Sequence, residues 1–320
     1  MVTRRNRVER WAPSARHPHL GRTARRSKMT DQRLLLISPV YNEGRHIETV
    51  VRAVAGQTRP PDRWIVADDG STDDTLATLR RLEAEIGFLS VLERPADVEL
   101  PQSPDRLSVA LEARTFNRGL RQADDLSSYT HVGKLDGDIR LPPAWFATLL
   151  QRFADDRALG IAGGTLVEAR NGRQRRLVIP RYHVHGAVKL YSRACFKDIG
   201  GIEERLAWDT IDETYARMAG YETRSFPELV ADHLRPAASA DGQLRGRARH
   251  GECAWILHYP PAWVLARSAK VATDPPVLLS GTAFLWGYAR AAAQGVARVE
   301  DPRFRAFTRR ELRRRVGQLL

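Results

Sequence analysis

From Leu34 onward, short apolar runs of strand length alternate with segments of helical period, and this alternation restricts the fold more than any other feature. "LLLISPV" (34–40) is followed by Ile47, Val50, Val51 and Val54, spaced i, i+3, i+4, i+7. "WIVADD" (64–69) reads as a second strand. "STDDTLATLRRLEAEIG" then opens with Ser71 and Asp74 at capping-box spacing and carries Leu76, Leu79, Leu82 and Ile86 along one face. "LSVLER" (89–94) and "YTHVGKLD" (129–136) read as further strands, with a helix between them at "SVALEARTFNRGLRQA" (108–123). Pro142-Pro143 restart a helix at "AWFATLLQRFADD", and "LGIAGGTLVEAR" is strand-like. The expected class is α/β, with a mixed, largely parallel sheet sandwiched by helices. Ligands in such sheets bind beyond the carboxyl ends of the strands.

After residue 236 the pattern changes. "RPAASADGQLRGRARHG" (235–251) is polar and basic and reads as a loop or linker. A helical extension is expected beyond it. Within that extension "PPVLLSGTAFLWGYA" (275–289) is uncharged but falls short of the about 20 apolar residues a bilayer span requires. It either packs on the preceding domain or lies on a membrane surface with Trp286 and Tyr288 at the interface. The expected organisation is an N-terminal basic arm over 1–30, a catalytic domain over 31–235 and the extension over 236–320.

The formal net charge of +13 is concentrated at the two ends. Residues 1–30 hold nine Lys/Arg against Glu9, and residues 301–320 hold seven Arg against Asp301 and Glu311, which leaves the body neutral. Such tails either touch nucleic acid or anionic lipid or are simply solvated ends, and the neutral body argues against a nucleic-acid-binding domain. Met29 immediately precedes the first periodic segment and is a candidate translation start. Two cysteines, Cys195 and Cys253, form no framework or CxxC, so a reducing, cytoplasmic setting is expected, at or near the inner face of the cell membrane.

Several strands deliver acids to their ends. The first leads into Pro39, Tyr41, Asn42 and Glu43; the second ends in Asp68 and Asp69; "KLDGDIRLPPAW" ends in Asp136 and Asp138, one glycine apart. One acidic strand end is commonly a helix cap, but three along one sheet edge make a candidate site. The blocks "SPVYNEGRHIETVVRAVAGQT", "WIVADDGSTDDT", "ARTFNRGL" and "KLDGDIRLPPAWF", in that order, resemble an inverting family 2 glycosyltransferase of the GT-A fold over roughly residues 33–235. The family's DxD motif falls on Asp136-Gly137-Asp138. What the resemblance implies is a nucleotide-diphosphate sugar donor bridged to the protein by Mg²⁺ or Mn²⁺, with Asp138 as metal ligand and Asp136 nearer the ribose or the metal. Pro39, Tyr41, Glu43 and Asp68 would then line the nucleoside, and Asp69 would accept from the base edge. Arg114 would approach the diphosphate or remain a surface arginine.

The resemblance also implies a general base at the start of a later helix, in "AWDTIDETYARMAGYETRSF" (207–226). Counting back from Gly220-Tyr221 puts it on Asp209, with Asp212 the alternative. Trp208 stands where the family's usual Glu would be, and Asp212 and Glu213 form an acidic pair one turn on. "HVHGAVKLYSRACFKDIGGIEE" resembles the acceptor-side segment, with His185 and Glu213 on that side. His183 and His185 alternate along it, but two ligands make no metal site. His233 is either near the diphosphate or metal or structural. The processive members' Gln-x-x-Arg-Trp pattern is absent, so transfer of one sugar to a sugar or lipid-linked acceptor is expected, in cell-surface polysaccharide or glycolipid synthesis. No GxGxxG follows the first strand, and neither a P-loop nor a GxSxG elbow is present. A sugar-1-phosphate nucleotidyltransferase is the alternative enzyme, without its glycine-rich basic first loop, and a non-catalytic nucleic-acid-binding protein the alternative of another class.

Overall fold

The computed structural model describes residues 31–95, 106–107, 109–170, 173–235 and 242–317. The arm expected over 1–30, Met29 with it, lies outside them.

The first half builds the expected alternation: β1 (Leu34–Val40), α1 (Ile47–Ala55), β2 (Arg63–Asp68), α2 (Thr75–Glu85), β3 (Leu89–Leu92), α3 (Leu111–Leu120) and β4 (His131–Leu135). Then come β5 (Ile139–Arg140), α4 (Trp145–Asp155), β6 (Leu159–Arg170), β7 (Arg173–Leu177), β8 (Val188–Ser192), α5 (Arg193–Asp198), α6 (Trp208–Met218) and β9 (Glu222–His233). Strand order is β3-β2-β1-β4-β8-β6-β9-β5, with β7 paired to β6. β3, β2, β1 and β4 run parallel. β8 reverses against both β4 and β6, β9 runs parallel to β6, and β5 reverses against β9.

All seven residues of β1 are buried, as a central parallel strand covered on both faces requires. On one face Leu34, Leu36 and Val66 meet Ile47, Val50 and Val54 of α1, Leu79 and Leu82 of α2, and Trp145 and Leu149 of α4. On the other, Leu35, Ile37 and Ile65 meet Phe116 of α3, Phe196 of α5 and Trp208 of α6. The carboxyl ends of β1, β2 and β4 therefore share one edge, and the acids predicted there come together.

Four more helices follow: α7 (Gln243–Ile256), α8 (Pro261–Val271), α9 (Leu279–Ala293) and α10 (Pro302–Gly317). The stretch read as a linker is thus helical from Gln243. Its glycines disfavour a helix locally, but Gly251 faces α9 so closely that a Cβ there would lie 1.9 Å from the Phe284 carbonyl oxygen, and this packing overrides the local preference. α10 and the end of α7 join α6 through Ile211, Ile256, Val299 and Phe304. Among the described residues no helix is long and apolar enough to cross a membrane.

Candidate active site

The loops after β1 and β2 are knitted together by side chains that bond across them. The Asn42 N–H donates to Ser71 Oγ (2.9 Å), the Glu43 N–H to Thr75 Oγ1 (2.7 Å) and the Gly44 N–H to Asp73 Oδ2 (3.0 Å); the Thr72 N–H returns to Asn42 Oδ1 (2.8 Å). Asn42 takes φ 54°, a left-handed conformation asparagine tolerates. Asp68 is spent on its own turn: Oδ2 accepts from the N–H groups of Gly70 (2.8 Å) and Ser71 (3.0 Å), and Oδ1 from Ser71 Oγ (2.5 Å). Ser71 therefore serves this turn, while Asp74, at the N-cap of α2, makes no side-chain cap.

Asp69 is buried and meets two arginines, Arg106 and Arg118, the latter at 3.3 Å. Arg106 also lies 3.6 Å over the Tyr41 ring. Arg106 thus links Tyr41 to Asp69, covering the ring and, with Arg118, answering the carboxylate, while Pro39 is buried in β1. Arg114 does not reach this group. It pairs with Glu204 at 3.3 Å on the surface, and Arg118, one turn later, enters the site instead with a 2.5 Å bond to the Asp68 carbonyl oxygen.

Gly137 explains its own place between the acids: a Cβ there would lie 2.9 Å from both Glu43 Cγ and Val40 Cγ1. Glu43 therefore packs on the backbone of the Asp136–Asp138 turn. Its carboxylate meets Arg235, and its Oε2 is buried without a hydrogen-bond partner among the described residues. Asp136 is reached by the Nζ of the wholly buried Lys134, which also donates 2.9 Å to the Gly186 carbonyl oxygen. Burial, with Glu112 and Asp138 nearby, pushes Asp136 up to about 7 against the pull of Lys134. Asp138 lies 3.4 Å from His233 Nε2 and 3.5 Å from Arg235 Nε. His233 Nδ1 is held 3.0 Å from Glu168. Burial disfavours the charged His233 ring, but Asp138, Glu168 and Asp136 outweigh it and raise its pKa.

This donor set fits a hard divalent cation as a partial shell. Asp136 and Asp138 present carboxylate oxygens one glycine apart, and His233 and Arg235 answer the charge of Asp138. Among the described residues no group of three His, Cys, Asp or Glu side chains is placed to hold a metal ion.

The acids of α6 divide sharply. Asp209, in the first turn, is partly exposed and borders Gly186, whose Cβ would fall 3.4 Å from Asp209 Oδ2. Asp212 points into the protein and is 2% exposed. It accepts from Lys189 Nζ (2.9 and 3.0 Å) and from the Tyr191 hydroxyl (2.5 Å). Glu213 is equally buried, 2.9 Å from His183 Nδ1 and 3.2 Å from Lys189. Burial works against its charge, yet Lys189, His183 and Arg217 hold its carboxyl well below the usual range. His185 is kept neutral by burial, which lowers its pKa to about 4, and its Nε2 is buried with no partner among the described residues. Trp208, in place of the expected Glu, donates from Nε1 to Glu112 (2.9 Å).

Lys134, Lys189, Arg106, Arg118 and Arg235 were not among the sequence-predicted site residues. A signal existed for the lysines: each interrupts an otherwise apolar strand, in "HVGKL" and "VKLY".

Residues 36–201 match the sequence profile of Glycosyl transferase family 2. Among solved structures, the mannosyltransferase PcManGT from Pyrobaculum calidifontis, in complex with GDP-Man and Mn²⁺, superposes with a TM-score of 0.51 at 19% identity, covering 86% of this chain and 83% of that one. GalNAc-T7 with UDP, GalNAc and Mn²⁺ superposes with a TM-score of 0.54 at 12% identity, over 87% of this chain and 56% of that one. These likenesses establish a common fold. No curated protein matches the chain.

Proposed function

The chain belongs to glycosyl transferase family 2 and is a glycosyltransferase of the GT-A fold, and from that premise we propose that it moves a single sugar from a nucleotide-sugar donor to an acceptor hydroxyl with inversion. The observation that carries this reading is the position of Asp209. Its carboxylate borders Gly186, whose carbonyl oxygen receives Lys134 Nζ, and Lys134 reaches Asp136. A partly exposed acid thus stands across Gly186 from Lys134, the side chain that holds Asp136.

In the proposed reaction Asp209 takes the proton of the acceptor hydroxyl while the acceptor oxygen bonds to the anomeric carbon. The bond from that carbon to the diphosphate breaks, and its electron pair leaves with the nucleoside diphosphate. No covalent enzyme intermediate is required. Tyr41 and Asp69 bind the nucleobase, with Pro39 and Glu43 behind them. Asp138, with His233 beside it and Asp136 adjoining, would hold Mg²⁺ or Mn²⁺, which when bound neutralises charge on the departing diphosphate. Both solved structures named above contain Mn²⁺, which supports this cation class. His185 borders the acceptor side, while Asp212 and Glu213 fix the helix that carries the base. Membership of family 2 sets aside the nucleotidyltransferase alternative. The acceptor is a sugar or lipid-linked sugar in cell-surface polysaccharide or glycolipid synthesis, and 31–235 forms the catalytic unit.

A screen of UDP- and GDP-sugars for nucleoside-diphosphate release, with and without Mn²⁺, tests the reading. Metal-stimulated release from one donor is expected; release from none overturns it.

A further inference from the structure

Helix α9 is built inside out for a helix in water. A helix on a globular surface buries its large apolar side chains and shows its small and polar ones. α9 buries Ser280, Gly281, Phe284, Gly287 and Ala291, of which only Phe284 is large. Outward it shows Leu279, Thr282, Leu285, Trp286, Ala289, Arg290 and Ala293, with Trp286 64% exposed and Arg290 one turn beyond it.

The buried face explains how this is possible. Cβ atoms on Gly287 and Gly251 would lie 1.8 Å from the Ala248 and 1.9 Å from the Phe284 carbonyl oxygens, so α7 and α9 meet backbone to backbone. A Cβ on Gly281 would lie 2.6 Å from the Ser268 carbonyl oxygen of α8. Small residues inside and large apolar residues outside is the arrangement helices adopt where the surrounding medium is itself apolar.

The turn before α9 continues the same face. Val277 and Leu278 are 62% and 69% exposed, and Leu278 holds φ 65°, a conformation unfavourable for leucine. The turn is nevertheless fixed, because the Leu278 N–H donates 2.8 Å to the carbonyl oxygen of Ala272, the C-cap of α8. Leu265 of α8 is also exposed, and so are Arg267 and Lys270 of the same helix, two and five residues further on. From residue 243 to the end the chain holds fourteen Lys/Arg against five Asp/Glu. At 15 residues, α9 spans only about 22 Å, against the about 30 Å of a bilayer core, so it can lie in the surface but not cross.

We infer that the face formed by Leu265, Val277, Leu278, Leu279, Leu285 and Trp286 seats in the headgroup–acyl boundary of an anionic lipid bilayer. Apolar side chains enter the boundary while the arginine and lysine heads meet lipid phosphates. The face shares its bundle with the base end of the cleft: α6, which carries Asp209, packs through Ile211 on Ile256 and Cys253 of α7, the helix against which α9 packs. A lipid-anchored acceptor is thereby met at the surface that holds its anchor; this clause alone rests on the glycosyl-transfer reading.

The test is co-sedimentation of the full chain with phosphatidylcholine vesicles containing or lacking phosphatidylglycerol. The wild type is expected to pellet with the anionic vesicles. The double variant Leu278→Asp, Trp286→Asp should weaken this by at least about tenfold, with melting temperature and acceptor-free donor hydrolysis unchanged. Absence of vesicle binding in the wild type, or binding indifferent to the double variant, overturns the inference. So does a dimer in light scattering that the same variant dissociates while vesicles bind neither form, since the face would then belong to a second copy. A wild type that binds vesicles but hydrolyses no donor instead overturns the catalytic reading.

Discussion

Lys134 and Lys189 stand directly opposite each other on β4 and β8, both wholly buried, with the Trp208 ring 5.0 Å from one ammonium and 5.4 Å from the other. Two like charges at such a cross-strand position repel unless each is answered separately. Lys134 is answered by Asp136, and Lys189 by Asp212 and Glu213. Lys189 also donates 2.5 Å to the Asp209 carbonyl oxygen, so one side chain anchors the first turn of α6.

Replacing Lys189 by Met leaves Asp212 buried with the Tyr191 hydroxyl but no cation, and Glu213 with His183 and Arg217. The expected loss is about 3–5 kcal/mol of stability, read as a lower urea midpoint with an unchanged m-value.

Asp209→Asn and Asp212→Asn should separate chemistry from scaffold. The first is expected to lower kcat by about 10²–10⁴-fold with a wild-type melting curve. The second leaves Lys189 and Tyr191 facing a neutral amide, and should lower the melting temperature more than it changes kcat. Near wild-type turnover for Asp209→Asn removes that residue from the role of base.

Gly186→Ala probes position without touching charge. The new methyl would lie 3.2 Å from Asp209 Cβ and 3.3 Å from the Trp208 ring, so Asp209 must move by a few tenths of an ångström. A kcat reduction of about tenfold, with donor KM unchanged, is expected in steady-state kinetics.

The parallel half of the sheet was legible because its strands are short apolar runs and its helices carry a clean helical period; β1 falls on 34–40 as read. The acids at the strand ends were legible for the same reason, since strand ends were. What stayed hidden depends on long-range register. Asp209 and Asp212 are three residues apart on one helix, and only β8, bringing Lys189 and Tyr191 beneath Asp212, distinguishes them. Arg114 and Arg118 are likewise equivalent in "ARTFNRGL" until Glu204 and Asp69 claim one each. The start of α7 was read as part of a linker because it is polar and basic, and the contact that Gly251 makes with α9 is not visible in the local sequence.

His183 supplies a pH signature. Burial alone would depress its pKa, but Glu213 and Asp209 outweigh burial and Lys189, and raise it above 6.5. A raised folded-state value stabilises fully below the unfolded value and is lost as pH rises through the folded one. His183→Gln should therefore be less stable than wild type below about pH 6.5, and the two melting temperatures should converge at higher pH. A gap independent of pH removes the Glu213 ion pair from the account.

Chelation by EDTA should abolish metal-stimulated donor turnover, and Mn²⁺ should restore it. Asp138→Asn is expected to raise the Mn²⁺ concentration for half-maximal activity by more than about tenfold, and His233→Gln by less. Equal activation curves for Asp138→Asn and wild type would dissociate that acid from the metal.

The four bonds that lace the loop after β1 to the loop after β2 bear on how a donor is received. Ordering the backbone of a single free residue takes roughly 1–2 kcal/mol. Asn42, Glu43, Gly44 and Thr72 meet that requirement when the chain folds, so none of it is subtracted when a nucleotide arrives. Substrate affinity at this edge is accordingly set in part by hydroxyls and amides, those of Ser71, Thr75 and Asn42, that need touch no ligand at all.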